Sequence, residues 1–144
     1  MLEDAERERA AFATNMRVPA GYDATVAVAL GAIVVATAIG FASDAVVANV
    51  LSIAVPLLFL VAVGWQMRRF REMNGVWLSG WRRGSTLRAT LVAVGIYTVG
   101  VVGAVVAGDA GDWWLVGLIA AVVGVGYLLA SRWWMRLYRA EYGA

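Results

Sequence analysis

Few side chains in this sequence could take part in chemistry, and most of them are arginine. The most polar long segment is RRFREMNGVWLSGWRRGSTLR, residues 68–88, with six arginines, two tryptophans and three glycines. Such a segment could grip a phosphate group or a nucleic acid. A phosphate-binding P-loop is excluded, because the glycines at 75, 80 and 84 lack the required spacing and the required lysine. The arginines therefore need another explanation.

Several reactive residue types are missing. The chain has no cysteine and no histidine, and all twelve of its basic residues are arginine. Thiol redox chemistry, disulfides and cysteine or histidine metal and haem sites are therefore excluded. We predict no catalytic residue, no metal site and no cofactor, and an enzyme is not the favoured class of function.

One group of polar residues falls inside an apolar segment. Asn49, Ser52 and Pro56 are spaced to share one face of a helix. Pro56 lacks a backbone N–H and so frees the carbonyl group of Ser52, four residues earlier. A kink with interhelical hydrogen bonds is the simpler interpretation, and a ligand or transport face is the alternative.

These residues are set among four long apolar segments. The sequence is 62% hydrophobic, whereas soluble domains are about 45–50% apolar. Each segment is long enough to cross a hydrocarbon core of about 30 Å as a helix, and in lipid every backbone polar group must be paired within the chain. The sequence therefore predicts an all-α, polytopic protein with four transmembrane helices, at about 24–42, 45–65, 87–107 and 113–130.

Charge alternates between the connections of these segments. The turns after the first and third segments carry only acidic charge, from Asp44, Asp109 and Asp112. All twelve arginines lie on the other side, which the positive-inside rule identifies as the cytoplasm. We therefore predict two hairpins in the inner (plasma) membrane with both termini cytoplasmic. Asp44 and Asp112 are also expected to cap the helices that follow them.

The predicted organisation has two parts. Residues 1–21 form a cytoplasmic N-terminal helix or tail, in which Phe12 and Met16 share a face. That face is either solvated or docks a cytoplasmic partner. Residues 22–144 form the transmembrane domain, with a cytoplasmic loop at 66–86.

The two halves of the chain resemble each other. WQMRRFREMNG (residues 65–75) aligns without a gap with WWMRLYRAEYG (residues 133–143), and Phe70 matches Tyr138. A tandem parallel repeat explains the match, and so do the shared demands of two hairpins with the same topology.

Small residues recur four positions apart within the segments and predict close helix packing. The pairs are Ala27/Gly31, Ala36/Gly40, Gly100/Ala104, Gly117/Ala121, Ala120/Gly124 and Gly126/Ala130.

Topology accounts for the arginines without a nucleic-acid partner. The second helix is expected to end at Asn74-Gly75, and the residues after it to lie in the membrane interface with tryptophans facing lipid. The predicted partners are the bilayer and its anionic inner-leaflet lipids. The predicted lipid-interface residues are Arg68, Arg71, Trp77, Trp81, Arg82, Arg83, Trp133, Trp134, Arg136 and Arg139.

The basic segment RRFREMNGVWLSGWRRG, placed between two hairpins, and the ending RWWMRLYRAE resemble a group of small, uncharacterised four-span membrane proteins from actinobacteria. The resemblance covers most of the chain and implies the same fold. It implies no activity.

Two functions from different classes fit the sequence. The first is a non-catalytic accessory or interaction subunit that binds a larger membrane protein, with no internal polar cavity. The second is a small homo-oligomeric transporter or channel that uses the face of Asn49, Ser52 and Pro56. It predicts a water-accessible cavity at that face and loss of flux in Asn49→Leu.

The interfacial placement of the loop can be tested through its tryptophans. Changing Trp77 and Trp81 to serine should move the loop out of the membrane interface, because serine lacks the amphipathic ring that anchors there. A spin label on a single cysteine introduced into the loop would report its depth. An unchanged depth in the double variant would contradict the prediction.

Overall fold

Helices make up nearly all of the structure. The computed structural model describes residues 7, 10–12, 14–75 and 84–142, and no strand occurs among them. A short helical segment precedes residue 16. Four long helices follow, each long and apolar enough to cross a membrane, which confirms the predicted all-α class and the predicted number of candidate spans. They are α1 (Tyr22–Ala42), α2 (Val46–Asn74), α3 (Thr86–Asp109) and α4 (Trp113–Tyr142).

Two of the helices are longer than the apolar segments that predict them. Helix α2 continues past position 65 as far as Asn74, so the arginines at 68, 69 and 71 lie on helix and not in a loop. It ends as predicted, because Gly75 adopts the left-handed conformation (φ 72°) and donates its N–H to the carbonyl oxygen of Arg71. Helix α4 continues past position 130 in the same way and carries Arg136 and Arg139.

The prediction that Asp44 caps α2 is wrong. The helix begins at Val46, so Ala45 occupies the N-cap position and makes no side-chain cap hydrogen bond. A capping side chain must lie at the N-cap itself to reach the free N–H groups, and Asp44 lies one residue too early. The hydroxyl of Ser43 instead accepts the N–H of Ala45 at 3.2 Å. Asp112 directly precedes α4, and its backbone carbonyl accepts two N–H groups from the first turn.

Helix α1 is the centre of the bundle. It contacts α2, α3 and α4, and α3 and α4 contact each other, whereas α2 packs closely on α1 alone. The main hydrophobic core lies between α1, α3 and α4 and includes the fully buried Val34, Ala104 and Val116. The bundle is therefore a three-helix unit with α2 attached to one side of its central helix.

Among the described glycines, those that come closest to a neighbouring backbone lie at the crossing of α1 and α4. A side-chain carbon added at Gly31 would lie 3.2 Å from the carbonyl oxygen of Ala120. One added at Gly124 would lie 3.2 Å from the carbonyl oxygen of Ala27. Two of the predicted small-residue pairs therefore form one reciprocal contact, as expected for membrane helices that pack without a hydrophobic driving force.

The remaining small-residue pairs divide between packed and exposed positions. Gly100 faces Val123 of α4, and Gly40 faces Ser52 of α2. Gly117 and Ala121 are exposed, and an added side-chain carbon at Gly117 would meet nothing within 4 Å. The spacing alone therefore overpredicts interfaces.

These two kinds of glycine on α4 provide a matched test. Gly124→Val should destabilise the bundle by about 1–3 kcal/mol, because the added methyl groups must push α4 away from α1. Gly117→Val introduces the same side chain into open space and should have little effect. Unfolding in mixed micelles, followed by circular dichroism, would measure both, and equal losses would contradict the proposed crossing.

Candidate functional site

The arginines that the structure describes on the long helices lie at one end of the bundle, which we call the basic end (residues 16–23, 65–75, 84–90 and 127–142). Three sets of hydrogen bonds between distant segments hold it together. The hydroxyl of Ser131 donates to Asp23, the hydroxyl of Ser85 donates to Glu141, and the side chain of Asn74 accepts the backbone N–H of Arg17.

A cavity of about 280 Å³ lies within the basic end. All four helices and the N-terminal segment contribute to its wall. Val18 and Met67, at 36% and 37%, are the most exposed of its lining residues. Its lining residues are Met16, Val18, Tyr22, Asp23, Met67, Phe70, Ala89, Thr90, Ala93, Tyr127, Ala130, Ser131, Trp134 and Met135.

Asp23 is the only charged side chain among the described residues that line the cavity. It lies in the first turn of α1, and its Oδ1 accepts a hydrogen bond of 2.8 Å from the hydroxyl of Ser131 on α4. Tyr127, one turn before Ser131, neighbours the same carboxylate. A carboxylate in the first turn of a helix is favoured by the helix dipole, so its position in the cavity wall is what makes Asp23 a functional candidate.

Aromatic rings form much of the remaining wall. The rings of Tyr22 and Phe70 are 6.2 Å apart and tilted by 47°. Trp134 stacks on Tyr138 at 5.3 Å, with the two planes only 4° apart. The indole Nε1 of Trp134 is buried without a hydrogen-bond partner among the described residues. Trp134, predicted as a lipid-interface residue, thus lies half-buried in the cavity wall.

The N-terminal segment closes one side of the cavity. Met16 is buried against Phe70 of α2 and Tyr138 of α4, the two aromatic residues that match in the internal alignment. Asn74 fixes this arrangement: its Nδ2 donates to the carbonyl oxygens of Arg17 (2.8 Å) and Phe70 (2.9 Å), and its Oδ1 accepts the N–H of Arg17 (2.9 Å). The apolar face of this segment therefore packs on its own bundle.

The other predicted interface residues that the structure describes surround the cavity on the outside. Arg68 pairs with Glu72 at 2.8 Å, but both side chains are exposed and the pair adds little stability. The guanidinium of Arg69 lies 5.5 Å from the ring centre of Trp65. Arg71, Trp133, Arg136 and Arg139 are also exposed.

The predicted interface residues Trp77, Trp81, Arg82 and Arg83 lie outside the described residues. Their contact with the membrane stays a prediction.

The residues of the predicted polar face of α2 have different surroundings. Ser52 packs on Gly40 of α1 and donates its hydroxyl to the carbonyl oxygen of Asn49 at 2.8 Å, whereas the Asn49 side chain is exposed. Pro56 is half-buried within α2. Asn49 lies near the start of α2 and the cavity near its end, about 27 Å along the helix at Met67. The use of this face for transport stays a prediction.

Sequence reasoning missed the cavity because its polar partners are distant in the chain. Asp23 and Ser131 are 108 residues apart, and the internal alignment does not pair them. One signal was available: Asp23 directly precedes an apolar span.

Comparison with known proteins gives no match: no protein-family model, no curated protein and no solved structure is significantly similar to this chain. The resemblance to actinobacterial four-span proteins therefore stays a prediction.

Attachment of the N-terminal segment should depend on Asn74. Asn74→Ala removes the three hydrogen bonds at this side chain, each worth about 0.5–1.5 kcal/mol. Trypsin should then cleave after Arg17 about tenfold faster or more, because about 1.4 kcal/mol changes the open population tenfold.

Asn15→Ala is the matched control, because that side chain bonds only Ala11 within its own segment. Equal cleavage of wild type and Asn74→Ala would show that Asn74 does not hold the segment.

Proposed function

We propose that this protein is a multi-pass plasma-membrane protein with its basic end in the cytoplasm, and that it acts without catalysis as an accessory or interaction subunit. In this proposal α2 binds a helix of another membrane protein side by side, while the arginines of the basic end contact anionic lipid.

The orientation rests on charge. Every arginine that the structure describes on the long helices lies at the basic end, on α2, α3 or α4, and the charged residues of the opposite turns are all acidic. This asymmetry is typical of two antiparallel hairpins whose termini are cytoplasmic. Each arginine close to an anionic leaflet contributes about 1 kcal/mol of attraction.

The observation that carries the functional proposal is the exposure of α2. Only 6% of its most apolar stretch is buried, compared with 33% in α1, 22% in α3 and 28% in α4. Membrane helices are held by van der Waals packing and interhelical hydrogen bonds, because lipid tails are as apolar as their side chains. A helix with one close neighbour has most of its surface free for such packing.

The free surface of α2 includes residue types that mediate helix contacts. We define the lateral face as Asn49, Ile53, Leu60 and Gly64, which fall within about 60° of one another at 100° per residue. All four are exposed, and an added side-chain carbon at Gly64 would meet nothing within 4 Å. A glycine permits close backbone approach, and an amide can hydrogen-bond across an interface. The lateral face therefore suits a transmembrane helix better than a purely aliphatic surface would.

A partner protein is the preferred occupant because this chain lacks the usual means of catalysis. It has no cysteine, histidine or lysine, and no group of three acidic, histidine or cysteine residues that could hold a metal occurs in the part of the chain that the structure describes. The activity that such a subunit supports would then belong to its partner.

The exposed Asn49 also supports a second candidate, a small homo-oligomeric transporter or channel. If a second copy covered the lateral face, Asn49 of each copy would lie inside the assembly, next to Ser52 and Pro56 of α2. Flux that is lost in Asn49→Leu, together with self-association through α2, would favour this candidate.

The partner can be sought with a photo-crosslinking amino acid at Leu60 of the lateral face, introduced in native membranes. We expect a crosslinked product with a different membrane protein, because this position of the lateral face is exposed at 63%. The same amino acid at Val99 of α3, exposed at 73%, is the control and should crosslink mainly lipid. Products containing only this chain would replace the accessory function with the homo-oligomeric candidate.

A further inference from the structure

We propose that the cavity at the basic end binds an organic ammonium ion that carries apolar groups, with Asp23 as its counter-ion. This inference does not depend on the lateral association of α2.

The residues that line the cavity indicate that its ligand is a cation. Asp23 is the only charged residue among the described lining residues, and no arginine is among them. The described arginines of α2 and α4 are exposed and point to the surroundings of the basic end. The hydrogen bond from Ser131 fixes one oxygen of the Asp23 carboxylate and leaves the second oxygen available. An anion would have to enter beside the Asp23 carboxylate, which has no cationic residue beside it in the described lining, whereas a cation would be attracted to it.

An organic cation fits this cavity better than a metal ion. The described lining holds one carboxylate and no histidine or cysteine, which is too few ligands for calcium, magnesium or zinc. Four aromatic residues line it instead: Tyr22, Phe70, Tyr127 and Trp134. Aromatic faces attract ammonium groups and are the usual means of recognising quaternary ammonium ligands.

The apolar part of the ligand has its own contacts. Met16, Met67 and Met135 line the cavity, and methionine adapts to irregular apolar shapes because its side chain is flexible and polarisable. A volume of about 280 Å³ suits a small aromatic or aliphatic ammonium compound. The most exposed lining residues, Val18 and Met67, lie at the basic end, where a ligand would enter from the adjoining interface. A free ammonium compound and the ammonium headgroup of a lipid share this chemistry.

The test compares two molecules of the same shape. Benzyltrimethylammonium carries the charge, and neopentylbenzene is its neutral counterpart, with carbon in place of nitrogen. Equilibrium dialysis against the full chain in phosphatidylglycerol nanodiscs, with empty nanodiscs subtracted, measures saturable binding of each. We expect the cation to bind saturably and the neutral compound not to do so.

The carboxylate is tested by variants that separate charge from shape. Asp23→Asn should weaken cation binding about tenfold or more, because a charge-assisted contact is lost. Asp23→Glu keeps the charge and should bind within about threefold of wild type. Asp44→Asn, the same change at the opposite end of the bundle, should leave binding unchanged.

Tyr127→Leu gives a second test that keeps the carboxylate. It should weaken binding of the cation about fivefold through the loss of one aromatic face. Thermal unfolding by circular dichroism identifies any variant that does not fold.

The source of the ligand is identified by changing the lipid. If the natural occupant is a lipid headgroup, adding phosphatidylcholine to the nanodiscs should weaken binding of benzyltrimethylammonium by competition. Unchanged affinity would identify a free ammonium compound. Saturable binding of neopentylbenzene equal to that of the cation would overturn the proposal, and so would cation binding that folded Asp23→Asn retains in full.

Discussion

Two glycines let the backbones of α1 and α4 touch, and most of the molecule depends on that contact. Gly31 meets the carbonyl of Ala120, and Gly124 meets the carbonyl of Ala27. Since lipid provides no hydrophobic force that drives helices together, close packing of this kind must hold the bundle. The same crossing sets the distance between the two helices one to two turns further on, where the Ser131 hydroxyl reaches Asp23. The position of the Asp23 carboxylate therefore depends on Gly31 and Gly124, which lie outside the cavity.

The bundle consists of a packed three-helix unit, formed by α1, α3 and α4, and the attached helix α2. Helices α1, α3 and α4 bury the core that includes Val34 and Val116, and they carry most of the cavity wall. Helix α2 closes the wall with Met67 and Phe70 but otherwise packs on α1 alone. A change on the outer side of α2 should consequently leave the core intact. Helix α2 contributes both the lateral face and two residues of the cavity wall.

Some features could be predicted because they follow from chemistry that acts locally. Four apolar spans are dictated by bilayer thickness, and the end of α2 at Gly75 is dictated by the conformational freedom of glycine. The position of α2 could not be predicted, because lipid-facing and protein-facing sides of a membrane helix are equally apolar and hydrophobic periodicity carries no information about packing. The pairing of Asp23 with Ser131 could not be predicted either, since it joins the first and last helices. The prediction that Asp44 caps α2 missed the N-cap position by one residue, which is the usual uncertainty in locating a helix start.

The connection between Asp23 and Ser131 has a consequence for biogenesis. Of the four helices, α1 is synthesised first and α4 last. Asp23 therefore has no Ser131 hydroxyl to accept from until 108 further residues have been synthesised. The N-terminal segment waits as well, because Met16 packs on Tyr138, close to the end of the chain. Closure of the basic end therefore cannot precede the synthesis of α4, and a chain cut short before α4 would leave the Asp23 carboxylate without its partner. Quality-control proteases that recognise exposed polar groups in membranes could then use the unpaired Asp23 carboxylate to recognise chains that lack α4.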